Sequence, residues 1–287
     1  ANDGDQDITA VALRLNAGTG VGGSVNHLET SVDTLSAAAG NGGVYLLEAD
    51  ALNVGAVGLS VNRVGSDGAL TVVTDASQSD ITSGGNGAIV LRSTAGGITL
   101  NDGTDGDGTA ISAHGTGNVL VQTLGAGSGI TANADITSTS GSISVLAGAG
   151  VTFHAQADIR TSSTGADSGS IDVQAGSGAI TQDASSALVS TGASATVRLL
   201  AATDVTVGDI EVTEGQVSIT ATGGSVLDAD ALVGGANDGD QDISAVALRL
   251  NAGSGVGGSV NHLETSVDTL SAAAGNGGVY LLEADAL

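Results

Sequence analysis

The residues of this chain best equipped for chemistry are carboxylates set two apart and separated by small residues. Asp3-Gly-Asp-Gln-Asp7 recurs as Asp238-Gly-Asp-Gln-Asp242, and Asp102-Gly-Thr-Asp-Gly-Asp107 is similar. Alternate carboxylates can chelate Ca2+ when a turn folds their oxygens together. An EF-hand loop needs Gly at its sixth position and Glu at its twelfth; counted from Asp3, those positions hold Ile8 and Arg14. The glycine-rich nonapeptide of Ca2+-binding β-helices is not met either. The expectation for Asp3, Asp5 and Asp7, and for Asp102, Asp105 and Asp107, is therefore solvated acidic corners without metal or cofactor, with Ca2+ binding as the alternative.

Other candidates are weaker. The histidines His27, His114, His154 and His262 show neither HxH nor HExxH spacing, which argues against zinc. The run Gly18-Thr-Gly-Val-Gly-Gly23 resembles a phosphate loop but lacks its Lys and its strand–helix setting. Polysaccharide cleavage needs paired carboxylates beside aromatic platforms, and the chain has one Phe, two Tyr and no Trp. No catalytic, cofactor-binding or metal residue is assigned, and the chain is not expected to be an enzyme.

The elements that carry these residues are set by repetition. Ala1–Leu52 returns as Ala236–Leu287, a shift of 235 positions, with two differences, Thr9/Ser244 and Thr19/Ser254. The chain thus divides into one full unit, 1–235, and the start of the next, 236–287, with no linker between them. Within the unit, short alternating apolar segments recur: Val11–Leu15, Val44–Leu47, Leu70–Val73, Ile89–Arg92, Val119–Val121, Ile143–Val145, Ile171–Val173, Val197–Leu200 and Val217–Ile219, with a restart at Val246–Leu250. Second and third short strands follow, such as Gly150-Val-Thr-Phe153 and Ala157-Asp-Ile-Arg160. Three strands joined by Gly-rich corners, repeated every ~20–30 residues, predict an all-β parallel β-helix, or β-solenoid. Nine starts give about nine coils per unit, roughly 43 Å at the inter-strand spacing. The segment Asn26–Leu35 alternates poorly and is expected to leave the coil as a loop, anchored by Leu28, Val32 and Leu35. Neither a capping helix nor an edge Pro or Lys is evident, so an uncapped portion of a longer rod is expected.

Composition fits a narrow interior. Apolar residues make up 41% of the chain, mean hydropathy is +0.27, and Val, Ile, Leu and Ala must fill the core almost alone. There are 47 Gly and no Pro, Cys, Met or Lys. Tandem β-sandwich domains would need buried aromatics and Pro-containing linkers. Six Arg against 31 acidic residues give a formal charge of −25, which repels nucleic acid and anionic headgroups. No apolar run is long enough for membrane insertion.

The lines NAGTGVGGSVNHLETSVDTLSA and GGVYLLEADALNVGAV, with the GGITL and GSISV strands, resemble filamentous-haemagglutinin-like giant adhesins, repetitive exoproteins exported by two-partner secretion. The resemblance implies a right-handed parallel β-helix, secretion to the bacterial surface or beyond it, and a part in adhesion, aggregation or biofilm. The expected role is a stalk or filament segment; the alternatives are a self-assembling sheath and, least favoured, a polysaccharide-acting β-helix. Expected partners are neighbouring repeats, other copies of the chain laterally or end to end, and surface glycans, with neither nucleic acid nor membrane among them.

Overall fold

The computed structural model describes residues 4–162, 169–230 and 238–287; Asp3 and the boundary between the units at 235 and 236 lie outside them. Among the described residues there is no helix. Twenty-seven strands form one continuous parallel sheet wound into a β-solenoid.

Each interior coil carries three strands. A first face stacks Ile89–Ser93, Val119–Thr123, Ile143–Ala147, Ile171–Ala175 and Thr196–Ala201. A second stacks Leu52–Val54, Ile98–Leu100, Ile130–Ala132, Val151–Phe153, Ile180–Gln182, Val205–Val207 and Val226–Asp228. A third stacks Ile81–Ser83, Thr109–Ala113, Asp135–Ser138, Ile159–Ser162 and Ala187–Thr191. Alternation along each strand buries every second residue. Ile143, Val145 and Ala147 point inward while Ser144 and Leu146 lie on the outer side. Like residues then stack in register, as in Leu46, Leu91, Val121, Val145, Val173, Leu199, Ile219 and Leu250. Each such side chain, removed from water, contributes about 1.5–3 kcal/mol. Phe153, the one Phe, is buried on the second face.

That column also measures the period. From Leu28 through Leu46 to Leu250 there are eight steps, and Leu263, the counterpart of Leu28, lies part-way round the ninth coil. The expectation of about nine coils stands, but the count is not whole. Identical sequence therefore lands on different faces. Val21 pairs with Val44 and so joins the first-face column of Ile89, whereas Val256 pairs with Val226 on the second face.

Two local expectations are corrected. Leu70–Val73 is a strand, but it does not open a coil. It belongs to Leu70–Gln78, which pairs antiparallel with Val57–Val64 in a separate two-stranded hairpin. Gly65 N–H donates to Ala69 O, and Gly68 at φ +79° completes the turn. The alternation does mark a strand; what a strand pairs with is not written in its own period. Conversely, Asn26–Leu35 does not leave the coil. Leu28–Ala39 is a 12-residue strand whose Thr30, Val32, Leu35 and Ala37 are buried. Its uneven alternation arises because it bends across more than one face, meeting Leu46–Glu48, then Asn53–Val54, then Ile81–Ser83. The adjoining glycine run serves close packing: Gly22, at φ +61°, has the Tyr45 carbonyl where a Cβ would stand, and Gly257 repeats this against Tyr280.

Candidate functional site

Most carboxylates face water, but a set of them follows one corner of the solenoid. The third face opens repeatedly on Asp-Ile: Asp80-Ile81, Asp135-Ile136, Asp158-Ile159, Asp209-Ile210 and Asp242-Ile243. The isoleucines stack in the core, Ile81 on Ile111, Ile111 on Ile136 and Ile136 on Ile159, with Leu188, Ile210 and Ile243 continuing the column. Each preceding aspartate is thereby fixed at the same corner, Asp135 next to Asp158 and Asp209 next to Asp242 on adjacent coils, with Ala110 and Ala187 at that position in the coils between. Several accept a backbone N–H from the adjacent coil: Asp158 N–H donates to Asp135 Oδ1 at 2.9 Å, Ala187 N–H to Asp158 Oδ1 at 2.6 Å, and Glu264 N–H to Asp242 Oδ2 at 2.6 Å. Arg160 pairs with Asp158, the only ion pair on this corner among the described residues.

Burial at this corner, with neighbouring negative charge, perturbs the acidity of several of these carboxylates. Burial first, then neighbouring negative charge, raises Asp135 and Asp209 above the usual aspartate range. Asp80, 3% exposed, is pushed up to about 8, first by burial and then by Asp105 and Asp107. It is one of the two non-Gly residues with positive φ among the described residues, at 63°.

The acidic loops predicted from sequence fare differently. The structure gathers Asp105 and Asp107 with Asp80, their oxygens within 4.8 Å of one another. Asp102 stays out of that group and caps its own loop by accepting the Gly108 N–H at 2.9 Å. One proton on Asp80 relieves its burial, while Asp105 and Asp107 remain exposed to water. Asp5 and Asp7 are exposed, and Asp3 lies outside the described residues. Their counterparts in the second copy behave otherwise. Asp242 is 2% exposed and joins Asp228 and Glu264, likewise 2% exposed, in a group of three; Asp228 also groups with Asp230 and Asp238.

Sequence reasoning missed Asp80, Asp228 and Glu264. The signal for Asp80 was present in the recurrence of Asp-Ile. Asp228 and Glu264 carry no such mark, because a stacking neighbour from 36 residues away brings them together. Glu48 was also missed. It is fully buried and its carboxylate is satisfied: Thr30 Oγ1 donates at 2.7 Å, Val32 N–H at 3.1 Å and Ala49 N–H at 3.0 Å. Among the histidines, His114 Nδ1 lies 2.7 Å from Ser83 O and His27 packs against Tyr45, both structural contacts.

Fold and site together define the class as a parallel β-solenoid with an acidic corner. Comparison of the chain with protein-family models, with curated proteins and with solved structures finds no match.

Proposed function

We propose that this chain is a stalk or filament segment of a long, repetitive bacterial surface or secreted adhesin, with a mechanical rather than a catalytic role. The supporting observation is the continuity of stacking from one unit into the next. Ile210 pairs with Ile243, Val217 with Leu248, Ile219 with Leu250 and Val226 with Val256, in parallel register. The core runs through this junction as it runs between interior coils, so added units extend one rod and do not form separate beads. The acidic exterior keeps neighbouring rods apart by mutual repulsion that salt screens.

The test is a set of proteins carrying one, two and three units, imaged by electron microscopy and assayed for attachment to glycan-coated and bare surfaces. A stalk lengthens by about 41 Å per unit at the inter-strand spacing, with no gain in attachment. Beaded particles would refute the continuous rod.

A second reading, direct lateral adhesion, draws support from one feature. Thr99, Thr131, Thr152, Thr181 and Thr206 stack in register on the outer side of the second face. Such a column offers evenly spaced hydroxyls to a glycan or another regular surface, and attachment would then rise with unit number through avidity.

A further inference from the structure

Two buried glutamates close to the ends of the described chain are treated in opposite ways. Glu48 is surrounded by donors, as above, and its repeat Glu283 keeps the same bonds from Thr265 Oγ1 at 2.6 Å and Val267 N–H at 3.0 Å. Glu264 is 2% exposed, yet no hydrogen-bond donor meets either of its carboxylate oxygens. What faces it are further carboxylates, Asp242 and Asp228, with oxygens of all three within 4.8 Å. Asp238 Oδ2 and Asn261 Oδ1 are also buried there without a donor. Asn261 is held at the spot by its amide, which donates to Asp228 Oδ2 at 2.6 Å. Buried oxygens that lack donors and converge on one point are costly unless something positive stands among them.

We propose that this junction between units is a Ca2+ site, with Asp228, Asp242 and Glu264 as its carboxylate ligands and Asp238 and Asn261 at its rim. The donor set is all oxygen and irregular, which suits Ca2+ with six to eight ligands better than octahedral, water-retaining Mg2+. Burial and mutual repulsion raise the pKa of all three carboxyls, so a cation that needs them ionised competes with protons for the site.

The site is composite. Asp228 closes one unit, while Asp242 and Glu264 open the next. The first copy contains the same clasp, with Glu29 N–H donating to Asp7 Oδ2 at 3.0 Å and Asp7 N–H to Glu29 O at 2.9 Å. It has no counterpart of Asp228 among the described residues, because that residue would come from a preceding unit. Among the described residues there is one such site, and an array would hold one at every junction.

The experiment is calorimetric titration of the 287-residue chain, stripped with EDTA, using CaCl2 with MgCl2 in parallel, and thermal melting followed by circular dichroism. One Ca2+ should bind per chain, Mg2+ more weakly, and a hundredfold excess over Kd should raise Tm by about 5 °C. Asp228→Asn, at a half-buried position, and Glu264→Gln should each lower Ca2+ affinity at least about tenfold, with the parent's far-UV spectrum retained in Asp228→Asn. Glu29→Gln, at the same repeat position in the first copy, should leave affinity unchanged. The proposal is overturned if the parent shows no response up to roughly 10 mM, above the range of weak extracellular Ca2+ modules. It is equally overturned if Asp228→Asn binds like the parent, or if Glu29→Gln abolishes binding.

Discussion

A 52-residue segment occurs twice in this molecule with two substitutions, and opposite halves of it are buried in the two copies. In the first copy Ile8, Leu13 and Leu15 are only half-buried and Asp7 is exposed, because Ile8–Ala17 has a neighbouring coil on one side alone among the described residues. In the second, Ile243, Leu248, Leu250 and Asp242 are buried under Asp209–Ala221. Further along the relation inverts. Val44, Leu46 and Glu48 are fully buried by the coils that follow, while Val279 is 44% exposed and Leu281 half-exposed. Backbone register is the same in both copies: Leu13 pairs with Leu35 as Leu248 pairs with Leu270. Sequence thus decides the shape of a coil, and its neighbours decide how much that shape stabilises. This is the nearest-neighbour energetics expected of a solenoid.

Paired substitutions at equivalent sites sharpen the contrast. Leu46→Ala should cost about 3–5 kcal/mol in urea unfolding, because a fully packed column is left with a cavity, whereas Leu281→Ala should cost about 1 kcal/mol. Equal costs would break the nearest-neighbour account. Glu48→Ala should cost about 2–3 kcal/mol by stranding the Thr30 hydroxyl and the Val32 N–H group, with a smaller loss for Glu283→Ala, whose surroundings are wetter.

Acidity, too, depends on which neighbours bury a carboxyl, in an interior coil at Asp80 as in the second copy at Asp242. Asp80 titrates near 8 in the fold against 3.8 as its ordinary value, so between those pH values the folded chain holds a proton that the unfolded chain has lost. Stability should therefore fall as pH rises from about 4 to about 8, by at most about 1.4 kcal/mol per unit from this group. Asp80→Asn should flatten that slope, as read by melting at a series of pH values. The smallest effect is expected where neither copy packs the residue: Val11→Thr, at a position 75% exposed, should change stability by less than about 0.5 kcal/mol.

The solenoid itself was legible because alternation, small corners and a scarcity of aromatics all favour a thin stacked core. Asp135, Asp158 and Asp209 share a local sequence mark, each standing directly before an Ile. What stayed hidden depended on partners. Leu70–Val73 reads as a coil strand until its antiparallel mate at Val57–Val64 is known. Asn26–Leu35 reads as a loop because the strand it belongs to, Leu28–Ala39, bends from face to face and breaks its own alternation. The group of Asp228, Asp242 and Glu264 depends on which coil lies above which, and that is a property of the stack, set by the fractional coil count.

That fraction has a geometric consequence for a long array. Since Val21 and Val256 occupy different faces, each unit is turned about the rod axis relative to the one before. The outlying hairpin of Val57–Gln78, with Leu59, Val61, Val64, Leu70 and Val72 exposed, would not line up along one flank of the fibre. It would ascend like the treads of a spiral staircase. A fibre marked in this way would present those treads on more than one flank.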